Sequence, residues 1–282
     1  MPFILMHVAC IAVFFVRPHP VDIVLAVTFF CLRMFSLTAG YHRYFSHRSY
    51  KTSRVFQFLI GWMGCCAVQK GPLWWCAHHR GHHKNSDNEL DVHSPITKSI
   101  WEAHVGWILE KDNDATRWEN IPDWQRYPEL VWLNNWHIIP AVLFGGFCFA
   151  VSYFCGGTGW SGVVYAFVLA TVLLYHSTFL VNSLAHLAGS RRYETDDRSR
   201  NNWLVAILTM GEGWHNNHHH YQAACRQGFF WWEVDVTYYV LTMLSWVGIV
   251  WDLKQPPKSM LQKVKGSNID SSNPNPLPTS NS

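Results

Sequence analysis

The chain has 282 residues, of which 49% are hydrophobic and only 15% are charged, whereas average domains carry about 25% charged residues. This composition excludes an intrinsically disordered chain, and a net charge of +3 is too small to indicate a nucleic acid as partner. Eight cysteines, none in a CxxC pair, exclude a disulfide scaffold and favour small buried thiols in a reducing compartment. The 17 histidines and 16 tryptophans are in excess and need an explanation.

Two apolar stretches at the N-terminus predict a hairpin of membrane-spanning helices. The first covers residues 3–16 and the second covers 21–39, and the Arg-Pro-His-Pro segment at 17–20 breaks the helix between them. The first stretch is shorter than the roughly 20 residues that a spanning helix needs, and Arg33 lies inside the second. We do not expect a signal peptide, because no basic residue precedes the first stretch and no small-residue cleavage pattern follows it.

A second hairpin is predicted in the longest charge-free part of the chain. From Leu130 to Ser190 there are 61 consecutive residues without Asp, Glu, Lys or Arg, enough for two spans of about 20 residues each. The Gly-Gly-Thr-Gly segment at 156–159 separates spans predicted at 137–155 and 160–181. The alternative is a soluble helical protein with two buried hairpins, although so long a charge-free run is rare in soluble domains.

Basic residues predict the orientation of both hairpins. Twelve of the 22 Lys and Arg residues lie in 33–126 and nine lie in 191–265, while the loop at 156–159 has none. By the positive-inside rule, the N-terminus and the segments 40–130 and 186–265 face the cytoplasm. The prediction is therefore an all-α integral membrane protein with four transmembrane helices in two hairpins and a cytoplasmic helical cap.

The remaining segments complete a single predicted domain over residues 1–265. The apolar stretches 55–68 and 236–251 are too short to cross a bilayer comfortably, so we expect them at the membrane surface or packed in the cap. Many tryptophans flank the apolar segments, where the indole ring favours the membrane interface. Residues 266–282 are rich in Asn, Ser and Pro, which predicts a disordered tail.

The histidines are grouped on the predicted cytoplasmic side. Ten of the 17 lie in three clusters: His42 and His47; His78, His79, His82 and His83; and His215, His218, His219 and His220. An eleventh, His186, follows the fourth predicted span. We expect lone histidines such as His7, His19, His137 and His176 to be hydrogen-bonded core residues, and His93 and His104 to have supporting or structural roles.

Helical spacing makes these clusters usable as ligands. At about 100° per residue, His79 and His83 lie on one face of a helix, with His82 beside them. In the third cluster, His215, His218 and His219 lie on one face in the same way. Because His42 and His47 are five residues apart, they do not align on a straight α-helix, and we expect a helix end or a local bend there. His220 points away from the face of its cluster, while His78 could belong with His82 or lie outside the site.

A set of nitrogen ligands of this size indicates two metal ions. Imidazole suits Zn, Cu, Fe and Ni, and about nine histidines are too many for one tetrahedral zinc. A zinc hydrolase stays open, since Glu212 or Asp87 could act as its base, but the HExxH motif of zinc proteases is absent. A redox-active pair that activates dioxygen fits better beside a membrane, where acyl chains are found. We expect Asp87, Asp91, Glu212 and the asparagines of the third cluster to accept the second N–H of ligand imidazoles.

The motifs around these histidines resemble those of the membrane fatty acyl-CoA desaturases, the stearoyl-CoA or delta-9 desaturase family, and are most similar to its bacterial branch. The matching segments are Gly40–Tyr50 (GYHRYFSHRSY), Trp74–Asp87 (WWCAHHRGHHKNSD), Asn182–His186 (NSLAH) and Gly211–His219 (GEGWHNNHH). They occur in the family's order and spacing. The resemblance covers nearly the whole chain apart from the tail.

The resemblance implies an oxidoreductase of the stearoyl-CoA 9-desaturase type with two iron ions. One iron would be held by His42, His47, His79, His83 and His218, and the other by His82, His186, His215 and His219, with Asn182 holding a water. Such an enzyme uses O2 and two external electrons to insert a cis double bond, at delta-9, into a long-chain fatty acyl thioester. Gln69 and Thr178 match residues at the bend of the family's acyl tunnel. The location implied is the bacterial inner membrane, or the endoplasmic reticulum in a eukaryote, with the active site facing the cytoplasm.

Three departures from the family pattern leave the substrate's head group open. His78 stands where animal members carry an acid, Ala77 where they carry an arginine that holds CoA, and Phe179 replaces a tunnel tryptophan. The substrate is thus a long-chain acyl-CoA, an acyl-lipid or an acyl carrier protein. The chain has no heme-binding HPGG segment, so a separate ferredoxin, or cytochrome b5 with its reductase, is expected to supply electrons.

Three other functions remain to be weighed against desaturation. A di-iron fatty acyl hydroxylase begins with the same hydrogen abstraction, so histidine spacing does not separate it from a desaturase. A membrane metal transporter predicts histidines inside the spans, whereas the clusters lie outside them. A membrane zinc hydrolase would give no O2-dependent product.

Overall fold

The computed structural model describes residues 2–263, and the disordered tail predicted at 266–282 lies outside them. The described chain is mainly α-helical. Its α-helices are α1 Pro2–Cys10, α2 Pro20–Phe35, α3 Arg54–Cys65, α4 Pro72–Asn85, α5 Trp107–Leu109, α6 Pro128–Asn135, α7 Ile138–Phe154, α8 Trp160–Gly162, α9 Ala170–Ser183, α10 Trp203–Leu208, α11 His215–His220, α12 Val236–Trp246 and α13 Lys258–Lys263. The all-α prediction needs one small correction, because β1 (Lys51–Thr52) pairs antiparallel with β2 (Val250–Trp251).

Two continuous helices are long and apolar enough to cross a membrane. They cover Pro20–Ser46 and Trp160–His186, with 27 residues each, which exceeds the roughly 20 residues required. The first begins sharply, because His19 and Asp22 form a reciprocal capping box and Pro20 occupies the first turn. Both helices extend beyond the ends predicted from hydropathy, at 39 and 181, and these extensions carry His42 and His186.

The other two predicted spans have helices at the expected places with different shapes. Pro128–Asn135 and Ile138–Phe154 together have the length and apolarity of a span but are bent by 67° at the break between them. The N-terminal apolar helix Phe3–Phe14 is shorter than a usual span. The described residues thus contain two helices of spanning length, or three if the bent pair is one span.

The segments predicted at the membrane surface or in the cap are helical. Residues 55–68 form most of α3, which begins at the N-cap Ser53, and residues 236–251 form α12 and β2. Disulfides are absent from the described residues, as expected. The expectation of buried thiols holds for most cysteines but is wrong for Cys31 and Cys155, which are exposed.

The main core lies where the extension of α2 meets α3 and α4. This extension, Ser36–Ser46, is a π-helix, and all of its residues are buried. Aromatic rings pack around it: the ring of Phe45 lies 5.1 Å from that of Trp124, whose indole N–H donates to the Phe45 carbonyl at 2.8 Å. The histidines of this extension are therefore held by a dense aromatic layer rather than by a flexible loop.

Candidate metal centre

Two helices of similar design present most of the clustered histidines. In α4, His79 and His83 are four residues apart and share one face, and His82 lies on the adjacent face. In α11 the same spacing recurs, with His215 and His219 on one face and His218 beside them. Each helix therefore presents histidines in two directions.

The structure brings the nine predicted histidines together in two sets. The first set comprises His42, His47, His79, His83 and His218, and the second comprises His82, His186, His215 and His219. Within each set, one ring nitrogen per residue lies within 4.8 Å of those of all the others. These are the two groups that the family resemblance implies. They lie side by side, since the rings of His83 and His219 are 4.4 Å apart.

The π-helix explains how His42 and His47 reach the same set. The backbone N–H of His47 donates to the carbonyl of His42, five residues earlier, at 3.3 Å. This wider turn places residue i+5 more nearly above residue i than an α-helix does. The two rings lie 4.9 Å apart as a result, and the predicted departure from a straight α-helix at this cluster is confirmed.

Four carboxylates accept hydrogen bonds from the outer nitrogens of these imidazoles. Nδ1 of His82 lies 2.9 Å from Asp91, and Nδ1 of His186 lies 2.9 Å from Asp87. Two further pairs have the same arrangement: His42 with Glu212, and His219 with Asp197. A proton held on Nδ1 by a carboxylate leaves Nε2 without one, so the Nε2 lone pair points into the set.

Sequence reasoning anticipated three of these four carboxylates and missed Asp197. That residue lies in an acidic stretch, Glu194–Asp197, where the sequence does not single out one member. Sequence reasoning also missed the buried ion pairs that Arg43 forms with Glu212 and Asp235. Arg43 donates to Glu212 at 2.9 Å and contacts Asp235 at 2.9 Å, and all three side chains are nearly inaccessible to solvent.

Burial keeps most of the clustered imidazoles neutral. Desolvation, reinforced by neighbouring histidines, lowers the pKa of five rings well below their usual value: His47, His79, His83, His215 and His218. Burial also lowers the pKa of His219 to about 4, although Asp197 opposes the shift. For His82, burial alone would lower the pKa, but the charge of Asp91 and its hydrogen bond outweigh burial and raise it. Neutral imidazole is the form that binds metal.

The supporting carboxylates remain ionised for the opposite reason. Burial raises the pKa of a carboxyl group, but the partner imidazoles outweigh it, and the pKa values are lowered for Asp87, Asp91, Asp197 and Glu212. Asp87 illustrates the effect, because its carboxylate accepts hydrogen bonds from His186, from the Ser94 hydroxyl and from the Arg198 backbone N–H. Negative charge is therefore placed behind the imidazoles, where it increases their basicity as ligands.

The donor set fits a pair of transition-metal ions. In the first set, Nε2 atoms face one another in an unbroken row: His42 to His218, His218 to His83, His83 to His79 and His79 to His47, each at 2.9–3.0 Å. Neutral imidazoles cannot satisfy such a row by hydrogen bonding alone, because a nitrogen with two neighbours has at most one proton. Nε2 of His219 in the second set is buried without any hydrogen-bond partner. A cation within each set would satisfy these lone pairs, and iron is among the metals that imidazole binds.

Other histidines lie outside the two sets. His220 stacks on Tyr193 with ring centres 4.2 Å apart, which agrees with its predicted orientation. His78 contacts the Ala115 carbonyl through Nε2 at 3.2 Å. His93 packs against His82 and approaches Asp91, consistent with the supporting role expected for it. His104 is hydrogen-bonded to His176 at 3.0 Å, away from both sets.

A cavity of about 760 Å3 adjoins both sets of histidines, within the range of about 300–1,000 Å3 that is usual for small-molecule sites. Its wall includes His42 and His79 from the first set and His82 and His215 from the second, together with Asn182. Most of the remaining wall is apolar or aromatic. Its exposed wall residues, which are Glu110, Lys111, Asp114 and Ile138, mark an opening to the outside.

Gln69 and Thr178 also line this cavity and contact each other. The side-chain amide of Gln69 donates to the Thr178 hydroxyl at 2.9 Å. This hydrogen bond joins the loop before α4 to α9, and so connects two elements of the cavity wall. Phe179, the next residue on α9, lies in the wall as well.

Comparison with known proteins agrees with this geometry. The model of the fatty acid desaturase family matches residues 18–250. Similar proteins include an acyl-CoA 5-desaturase of Anemone leveillei, 34% identical over 245 residues that cover 83% of this chain and 72% of that protein. The sn-2 palmitoyl-lipid 9-desaturase of a Nostoc species is 37% identical over 216 residues, or 74% and 73% of the two chains. Delta-9 acyl-lipid desaturase 1 of Arabidopsis thaliana is 30% identical over 231 residues, or 81% and 73%. A family match over most of the chain, together with relatives of this identity, places the protein in the fatty acid desaturase family.

Proposed function

We propose that this desaturase uses O2 to insert a cis double bond, at delta-9, into a long-chain fatty acyl thioester. The observation that carries the proposal is that two adjacent sets of inward-facing imidazoles adjoin one largely apolar cavity. An apolar cavity suits a hydrocarbon chain, and the histidines in its wall bring the reacting carbons next to the metal sites.

The nine histidines hold two iron ions in this proposal. When bound, the iron pair supplies O2-dependent abstraction of hydrogen from an unactivated carbon. The residues of the chain provide the setting: four carboxylates hold imidazoles in the tautomer that leaves Nε2 free, and burial keeps the rings neutral. Asn182 lies in the cavity wall, and in this proposal its side chain holds a water.

The stoichiometry requires an external partner. The acyl chain loses two hydrogen atoms and O2 is reduced to two waters, so two electrons and two protons must come from outside. The described residues include no second redox domain, and a separate ferredoxin, or cytochrome b5 with its reductase, supplies the electrons. The long apolar helices hold the protein in the bilayer, in the bacterial inner membrane, with both iron sites on the cytoplasmic side.

The position of the double bond depends on where the chain stops and bends. The Gln69–Thr178 hydrogen bond supports a bend, because it places a polar contact between two elements of a largely apolar wall. Two of the similar proteins are named as 9-desaturases and three as 5-desaturases, so the choice of delta-9 rests on the resemblance of the histidine motifs and not on these names.

The cavity opening offers cationic groups for a head group. Lys70 and Lys111 lie in its wall, and Lys70 is paired with Asp114. These groups suit the phosphates of an acyl-CoA. An acyl-lipid is the second candidate, because the Nostoc and Arabidopsis relatives are named for lipid substrates.

Expression in a host that lacks unsaturated fatty acids tests the proposal. Mass spectrometry of the host lipids should detect acyl chains with one double bond at delta-9, formed only when O2 is present. Purified iron-loaded protein given stearoyl-CoA or a saturated phospholipid, with ferredoxin and its reductase, then identifies the head group. A hydroxylated chain without an alkene would support the hydroxylase, and an iron-loaded, inserted protein that forms neither product would overturn the proposal.

A further inference from the structure

A fully buried arginine lies inside one of the two long apolar helices. Arg33 belongs to α2 and has no accessible surface. A charged side chain within a membrane-spanning segment is costly and therefore suggests a function. The two sets of histidines do not explain it, because Arg33 contacts neither of them.

The Arg33 guanidinium joins separate segments through neutral acceptors. Nη1 donates to the Thr171 hydroxyl at 2.6 Å and to the Cys66 carbonyl at 3.3 Å. Nη2 donates to the Ala166 carbonyl at 3.3 Å, and the guanidinium carbon lies 4.9 Å from the centre of the Phe144 ring. Within residues 2–263, none of its hydrogen bonds goes to a carboxylate. Arg33 thus connects α2 with the end of α3, with α7 and with the helix that contains α9.

The position of this cluster relative to the cavity is defined by three helices. Along the three helices the residues of the wall end at Leu37 after α2, at Tyr175 on α9 and at Ala141 on α7. On the first two helices this is the end away from His42 and His186. The residues one helical turn farther on, by about 5.4 Å, are Arg33, Thr171 and Phe144. These are the residues that contact one another through the guanidinium. Arg33 and its partners therefore form the next layer beyond the deep end of the cavity.

A polar layer resists displacement in a way that an apolar layer does not. Tyr175, in the cavity wall, donates to the Val68 carbonyl at 2.9 Å, and both residues are joined through short stretches of chain to Thr171 and Cys66. For an acyl chain to extend farther, its terminal methyl would have to separate a buried guanidinium from its acceptors. Leaving a buried charge without hydrogen bonds is much costlier than moving an aliphatic side chain.

We propose that Arg33 is a positioning residue that closes the deep end of the cavity and so limits the length of the acyl chain. This inference rests on the proposed function, in which the cavity holds the acyl chain. It assigns to Arg33 no contact with the reacting carbons or with the metal ions. The expected consequence is a change in chain-length preference rather than a loss of chemistry.

Product chain lengths in cells test this role. Wild type, Arg33→Ala and Arg33→Met are expressed in a host with a mixture of saturated chains from myristoyl to arachidoyl. For Arg33→Ala, the ratio of longer to shorter unsaturated products should rise about tenfold, the low end of what one methylene contributes in an apolar pocket. Arg33→Met keeps most of the volume and should shift the ratio less. Leu32→Ala, at an exposed neighbour on the same helix, should leave it unchanged.

An unchanged ratio in an active Arg33→Ala variant would overturn the inference. If the Arg33 variants do not accumulate, Thr171→Val removes the hydroxyl acceptor at nearly constant volume, and an unchanged ratio there overturns it equally. A wild type without unsaturated product would reject the proposed function instead. In that case, the rise of the thermal unfolding midpoint on adding saturated acyl-CoAs of the same chain lengths tests the cavity directly. The chain length that raises the midpoint most should be greater for Arg33→Ala than for wild type. The same best chain length in both proteins would reject the role of Arg33.

Discussion

His186 and Asp87, which are 99 residues apart in the chain, meet through a single hydrogen bond of 2.9 Å from Nδ1 to Oδ2. The same carboxylate accepts from the Ser94 hydroxyl at 2.6 Å and from the Arg198 backbone N–H at 2.8 Å. Asp87 therefore connects the segment that follows α4 to His186 and to the chain that follows His186. Its role is to hold His186 in one tautomer and orientation.

Replacing Asp87 by asparagine should weaken the second set without removing any imidazole. In Asp87→Asn the amide keeps the shape but loses the charge that fixes the proton on Nδ1 of His186. We expect iron affinity or turnover to fall about 10–100-fold, as is usual when a partner of a ligand histidine is lost. Iron content after dialysis against a graded chelator measures the change.

The matched control is Glu89→Gln, two residues away on an exposed part of the same turn. It removes one negative charge from the same region but no hydrogen bond to a histidine. Iron affinity should remain within about twofold, because exposed charges interact weakly through water. Equal losses in both variants would mean that net charge, and not the hydrogen bond to His186, controls binding.

The clusters themselves were predictable because metal ligands depend on local spacing. His79 with His83, and His215 with His219, are each four residues apart, and this spacing defines a helix face before any packing is known. Asp197 was not predictable, because its pairing with His219 depends on how the chain folds back after α9. Long-range pairings of this kind are set by tertiary packing and leave no periodic signal.

For the predicted membrane-spanning helices, too, the sequence predicts the location of each helix but not its long-range contacts. The 61-residue charge-free run predicted both Ile138–Phe154 and the helix beginning at Trp160. The 67° bend before Ile138 was not visible, since hydropathy records composition and not direction. Arg33 was visible only as an irregularity in a span, because its acceptors on Cys66, Ala166 and Thr171 come from other helices.

Neighbouring histidines of α11 should respond very differently to alanine. His219 belongs to the second set, whereas His220 stacks on Tyr193. His219→Ala removes a proposed ligand, and its loss of turnover should exceed the roughly 100-fold upper value for a supporting residue. His82→Ala and His215→Ala should behave in the same way. His220→Ala should retain turnover within about twofold, since it alters one ring stack with Tyr193 and removes no proposed ligand.

Lipid product and bound iron must be measured together for these variants. The proposed ligand variants should still insert in the membrane but contain less iron per chain. A His219→Ala protein with full iron and normal product would contradict the assignment of His219 as a ligand. A His220→Ala protein without iron would contradict the assignment of His220 to a position outside the second set.

Acid should destabilise the iron-free protein, and the pKa shifts determine the sign. Five histidines have folded-state pKa values well below the value of about 6.5 expected in an unfolded chain. The unfolded chain therefore binds more protons, and stability falls as the pH drops below about 6.5. Below about pH 4 the lowered pKa values of Asp87 and its three counterparts add to the loss. His82, whose pKa is raised, opposes the trend but is a single group.

Thermal unfolding of the iron-free protein in detergent measures this dependence. The midpoint should decrease steadily between about pH 7.5 and pH 5. His83→Gln should flatten the slope, because it removes one of the lowered pKa values. Iron loading should raise the midpoint most at the higher pH, because protons compete with the metal for the same nitrogens. A midpoint that does not vary over this range would contradict the burial of neutral imidazoles.

The buried Arg43 links the stability of the protein to the first set of histidines. Arg43 bonds to Glu212, which in turn contacts His42, and it also contacts Asp235. Arg43→Met leaves two buried carboxylates without their cation, which should cost about 3–5 kcal/mol. Arg54→Met breaks the more exposed pair with Glu129 and should change the unfolding midpoint little, because water screens that pair. Since the two variants remove the same charge, equal shifts of the unfolding midpoint would show that the network around Glu212 does not support the site. A larger shift for Arg43→Met, accompanied by weaker iron binding, would show that it does.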